Sequence, residues 1–214
     1  MAAFISFVNF YMQANLKKIR QAAQEIVECQ RILANTGHTV ITELLRFSDD
    51  FFEWDPHPND NVMDYNTGAQ YYYHAHPKSK RGFKEHGHFH TFMKNEKPVD
   101  SETLPLTHIV AISMNAYGIP QGLFTVNHWV TDGIWEDAPT VESFLGNFLI
   151  DHAQPSWVVN RWINSMLRLY EPEIINLLKE RDHIINTHIP KKKNIDILAL
   201  FTDWATDRKN HLIL

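Results

Sequence analysis

Between Tyr71 and Phe92 the chain carries two short runs in which histidine and aromatic residues recur at every second position. No other feature restricts the fold as strongly. The first run is Tyr71, Tyr72, Tyr73, His74, Ala75, His76; the second is His86, Gly87, His88, Phe89, His90, Thr91, Phe92. Two is the period of an extended strand, because successive side chains leave the backbone on opposite faces. The intervening stretch from Pro77 to Gly82 is made of turn formers and basic residues. The two runs therefore read as neighbouring strands, with His74 and His76 on one face of the first and His86, His88 and His90 on one face of the second.

Helical signals flank this β core on both sides. Leu16, Ile19, Ala23, Ile26 and Leu33 recur at spacings of three and four, or sums of them, which predicts a helix over 14–34 that stops before Gly37. A second helix is expected over 39–47. Residues 49–68 hold Pro56, Pro58 and a run of Asn and Asp. They read as an irregular loop that wraps the core and buries Phe51, Phe52 and Trp54. Two more strands are expected at 106–114 and 123–130, joined by turn residues at 115–122. Beyond them, Thr140 and Ser156 cap helices that run to 152 and 170, Pro172 opens another to 186, and a short last helix lies near 196–208.

Helices, then strands, then helices predict an α+β fold. It would hold an antiparallel sheet or small barrel-like sheet in the middle of the chain, covered by N- and C-terminal helices. The length suits a single domain over 1–214, with a helical part at 1–48, a β core at 69–135 and a second helical part at 140–208.

Charge and cysteine usage exclude several classes. A net charge of −5 supplies no broad basic face, so no nucleic-acid partner is expected. Cys29 is the only cysteine, which rules out an intrachain disulfide and a thiolate zinc set and matches a cytoplasmic location. The apolar residues 1–12 lack a basic start and are too short to span a bilayer, so they read as a buried or partner-packed segment. No membrane span is expected, while a protein partner or a homodimer is compatible with the six tryptophans and this segment.

The chemistry lies in the histidines. Five histidines and Glu85 fall within 17 residues, from His74 to His90. Neutral imidazole is a common ligand for zinc, iron, copper and nickel. Residues i and i+2 on a strand are about 6.6–6.8 Å apart and can close on one ion, whereas i and i+4 are about 13 Å apart. His86 and His90 therefore share an ion only if the strand bulges, and Gly87 is where it would bulge or be closely approached. The simplest site takes His74 and His76 with one or two of His86, His88 and His90. The others would hydrogen-bond to ligands or substrate, and Glu85 would be a ligand, an orienting group or a general base.

His108 shares its strand face by simple alternation with Val110, Ile112 and Met114. His128 shares its face with Phe124, Val126 and Val130, and either histidine is a satisfied core residue or reaches the same site. Arg81 and Lys84 are placed to meet an anionic substrate group. Asp132, Glu136 and Asp137 read as a solvated loop.

His74, Ala75 and His76, followed by Glu85 and His86, with Gly118, Pro120 and Gly122 downstream, resemble the two metal-binding motifs of cupins. The resemblance covers about 55 residues and implies a small barrel with a histidine and carboxylate metal site, to which His128 would contribute; the histidine-to-glutamate gap here is longer than the cupin pattern. The runs from Glu85 to His90 and from Leu123 to Thr131 also look like an uncharacterised bacterial domain family, which implies no activity.

Together these features predict a metal-dependent enzyme acting on a small molecule or peptide. Iron or zinc, alternatively copper, would be held by residues drawn from His74, His76, His86, His88, His90 and His128, in a mononuclear or dinuclear site that activates water or oxygen. Glu85 and Arg81 would be the catalytic side chains. The alternatives are a non-catalytic metal-binding or accessory protein and a metal-free, pH-responsive structural protein.

Overall fold

In a computed structural model of the chain, residues 2–48, 50–77, 85–98, 100, 103–126, 130–131, 133–188 and 211–213 are described, with the backbone alone described for 2–12, 14, 47, 188 and 211–213. Strands β1 (His57–Met63), β2 (Ala69–His74), β3 (Gly87–Lys94), β4 (Leu106–Met114), β5 (Pro120–Val126) and β6 (His211–Ile213) form one antiparallel sheet in sequence order. Among the described residues β1 pairs only with β2 and β6 only with β5. The fold is α+β and its sheet is open, which corrects the barrel-like alternative.

The helices are α1 (Ala2–Ala34), α2 (Val40–Leu44) with a 3-10 turn at Leu45–Phe47, α3 (Ala138–Leu145), α4 (Trp157–Leu169) and α5 (Glu171–His188). Thr39 caps α2 through a reciprocal capping box with Thr42, and Ser156 caps α4 by accepting from Val159 N. Asp137, not Thr140, caps α3: its carboxylate accepts from Thr140 N, and Pro139 sits in the first turn where its missing N–H is harmless. The helix then ends at Leu145, well short of 152. The expected last helix at 196–208 lies outside the described residues.

Two expectations for 49–68 are overturned. Residues 57–63 form a strand, hidden in the sequence because it lies at the sheet edge, where Pro58 needs no ladder partner, and because its register with β2 is interrupted between His57 and Val62. Phe51, Phe52 and Trp54 are 37%, 59% and 50% exposed rather than buried. Two of the rings lie against histidines: Phe51 stacks on His57 and His86, and Trp54 packs on His76.

One face of the sheet is packed by helices. Tyr71, Tyr73, Phe89, Met93, Ile109, Val110, Ile112 and Met114 form a continuous core with residues such as Cys29 and Leu33 of α1, Trp162 and Ile163 of α4, and Leu178 of α5. Each fully buried aliphatic or aromatic side chain there contributes about 1.5–3 kcal/mol relative to exposure. Burial pushes the Cys29 thiol up to about 11, with neighbouring Glu25 acting in the same sense, so Cys29 is an unreactive packing residue.

The core carries a polar tie between sheet and helix. Tyr71 Oη donates to Asn160 Oδ1 at 2.6 Å, and Asn160 Nδ2 donates to the carbonyls of His152 and Gln154. Buried polar groups are tolerated when paired in this way. Glu136, expected in a solvated loop, is buried and accepts from Asn95 Nδ2 at 2.7 Å and from Lys97 Nζ.

Candidate metal centre

The other face of the sheet collects the histidines. In the β2–β3 register Tyr72 opposes His90 and His74 opposes His88. Across β3–β4, His88 opposes Ser113 and His90 opposes Ala111; across β4–β5, Ala111 opposes Phe124 and Ser113 opposes Gly122. These small residues on β4 leave room above the sheet for two imidazoles. Phe124 closes the far side, with its ring 5.0 Å edge-on from His88. His88, His90 and Phe124 are buried and His74 is half-buried.

His74, His88 and His90 each offer a nitrogen, and the three nitrogens lie within 4.8 Å of one another. Their ring centroids are 4.5–5.0 Å apart. Nitrogens bound to one ion at about 2.0–2.1 Å are about 3–3.5 Å apart. Side-chain shifts of about 1 Å would therefore close the three on an ion, and this buried triad could hold a metal.

The supporting contacts share one orientation. His88 Nδ1 lies 2.5 Å from Glu85 Oε1, and His90 Nδ1 lies 3.0 Å from His108 Nε2. With Nδ1 engaged on both rings, Nε2 is the nitrogen that each would turn to an ion. A metal-bound His90 Nε2 needs its proton on Nδ1, so His90 would donate to His108 Nε2. The Glu85 carboxylate supplies a negative charge beside a site where an ion would bring positive charge into low dielectric.

His108 reaches the centre through a β-bulge. Thr91 opposes Val110, but Phe92 opposes His108, so Ile109 is an extra residue in β4. Ile109 and Val110 both enter the helix-packed core, and His108 turns to the other face, 5.1 Å from the His90 ring and 5.3 Å from Phe92. This corrects the expectation that His108 shares a face with Val110, Ile112 and Met114. Thr91 Oγ1 fills the interrupted ladder by donating to Val110 O at 2.7 Å.

The remaining predicted residues divide into three groups. His76 follows the end of β2; its Nε2 is 3.2 Å from His74 Nε2 and its ring is 5.2 Å from that of His88. His86 precedes β3 and does not share the face of His88 and His90. Its Nδ1 is 2.7 Å from Tyr73 Oη, and Tyr73 belongs to the helix-packed face. Gly87 makes this possible: a Cβ there would lie 2.6 Å from Tyr73 Oη and collide with the His74 carbonyl. Close approach, not a bulge, is its role. Arg81, Lys84, Asp132 and His128 lie outside the described residues, although Phe124 and Val126, expected beside His128, do cluster with Ala111 on the histidine side of the sheet.

No helix among the described residues is long and apolar enough to cross a membrane. Searches of curated proteins and of solved structures match nothing. A family model described as a domain of unknown function, DUF6969, matches residues 20–203, and the chain belongs to that family.

Proposed function

We propose that the protein is a metal-dependent enzyme whose ion is held by His74, His88 and His90, with one or more positions left for water, oxygen or a small-molecule or peptide substrate. The observation that carries this reading is the convergence of three imidazole nitrogens within 4.8 Å, on three rings of which two also have a partner at Nδ1. Three protein ligands with an open position are the pattern of catalytic rather than structural zinc, and an all-imidazole set also suits iron and copper. The ion would lower the pKa of bound water or polarise a substrate oxygen. Glu85 acts as a positioning residue through its contact with His88, and His108 does the same for His90.

A metal-free proton-sharing network is the second reading. It is favoured by the His90–His108 and His74–His76 nitrogen pairs, since each can share a proton without an ion. Elemental analysis of protein purified without a histidine tag separates the two. The enzyme reading expects close to one zinc, iron or copper per chain, absent from a His74→Ala/His88→Ala variant. Native protein with no metal and no tight uptake of these ions sinks it and leaves the network. The ion found then selects the assay: hydrolysis for zinc, oxygen consumption for iron or copper.

A further inference from the structure

We propose that His76 is a displaceable fourth ligand, which leans from its place on Trp54 to close the three-histidine centre once an ion is bound and falls back onto Trp54 when an incoming ligand takes its position. This inference rests on the reading of His74, His88 and His90 as ligands.

Three observations carry it. The first is position: the β2–β3 ladder ends at the His74–His88 pair, so His76 sits two residues beyond the last cross-strand contact. Its segment is tied instead to the surface stretch around Trp54, where Trp54 N donates to Ala75 O at 2.8 Å.

The second is distance. His76 Nε2 is 3.2 Å from His74 Nε2, within the span of about 3–3.5 Å expected for two nitrogens on one ion. His76 nevertheless lies outside the set of three whose nitrogens are all mutually close. It is within reach of the centre and not seated in it.

The third is the outer resting place. The Trp54 ring lies 4.5 Å from the His76 ring at 31°. Trp54 is half exposed and has φ of 77°, a left-handed conformation that bulky residues rarely adopt and that concentrates at functional sites. Exposure rises from buried His90 and His88 through half-buried His74 and His76 to Trp54, so His76 stands on the solvent side of the centre.

The exchange is a change of coordination only. Neutral imidazole leaves the ion, a lone pair of the incoming ligand replaces it, and no electron or proton is required from elsewhere. If His76 occupies the position for about nine-tenths of the time, apparent affinity for an exogenous ligand falls about tenfold.

The test reconstitutes the metal-free full chain with cobalt(II) alone and titrates azide, reading the visible absorption of the bound ion. Wild type is expected to take one cobalt and show the strong bands of four-coordinate nitrogen ligation. His76→Ala should also take one cobalt, with weakened and shifted bands as water enters, and bind azide about tenfold more tightly. Trp54→Ala removes the outer resting place and should weaken azide binding below wild type. A His76→Ala spectrum and azide affinity equal to wild type would overturn the proposal. If that variant fails to fold, unchanged azide affinity in Trp54→Ala overturns it instead. Wild-type cobalt uptake by His74→Ala would overturn the three-histidine reading itself, so the two failures are read separately.

Discussion

The imidazoles of His88 and His90 could serve as ligands because each already has a partner at Nδ1. Glu85 Oε1 engages Nδ1 of His88 and His108 Nε2 engages Nδ1 of His90, so each ring would meet an ion through Nε2. Partners of this kind raise ligand basicity and hold ring orientation, and their loss typically costs about 10–100-fold in metal affinity. Glu85→Gln and His108→Ala are therefore expected to weaken metal binding by about 10–100-fold without changing its stoichiometry. Competition with a chromophoric chelator measures this, and two unchanged affinities would remove both roles. Of these residues, His74, His88 and His90 were legible from the period of two. His108 was not, because counting alternate positions back from Met114 assigns it to the opposite face. Only the extra residue in β4 reverses that assignment. A bulge depends on what the neighbouring strand offers, here the Thr91 hydroxyl, and leaves no mark in the local pattern.

At the scale of elements, the contact between sheet and helices includes a buried polar centre, the Tyr71–Asn160 pair. Both side chains are fully buried, and Asn160 also holds two carbonyls of the loop that precedes α4. Tyr71→Phe removes one donor and leaves Asn160 Oδ1 without it in a dry environment. The expected loss is about 1–3 kcal/mol, read from the urea midpoint at unchanged slope. An unchanged midpoint would mean that the pair contributes nothing to docking α4 on the sheet. A cap made α4 readable from sequence, since Ser156 acts within three residues of itself. The β1 edge strand was not readable. Its buried positions, His57 and Val62, are separated by a register shift and by Asn61 at φ 56°, so no period survives.

At the scale of the whole molecule, one carboxylate joins the β1–β2 turn to the loop between α3 and α4. Asp64 is buried, and burial by itself opposes its ionisation. The N–H groups of Asp151, Thr67 and Asn66, aided by nearby His152, outweigh burial and hold its carboxyl below the ordinary value. A carboxyl depressed in the folded state contributes stability that is fully present above its unfolded pKa and is lost as pH falls through the folded one. Asp64→Asn should therefore lower stability at neutral pH and flatten the acid limb of the stability curve. Urea unfolding of chelator-treated wild type and variant from pH 7 downward measures this, and parallel curves for the two proteins would refute it.

The sequence alone determined the alternation of histidines, the α+β order apart from the edge strands β1 and β6, and the starts of α2, α4 and α5, because each depends on residues a few positions apart and on the fixed rise of helix or strand. Tertiary structure alone decided which histidines meet. His74, His88 and His90 converge because cross-strand hydrogen bonds set the β2–β3 register, and His108 joins them because a bulge turns it over. His86 is drawn to Tyr73 on the other side because Gly87 lets the tyrosine hydroxyl approach the backbone. Register, bulge and close approach are bargains between segments distant in sequence, and no local period records them.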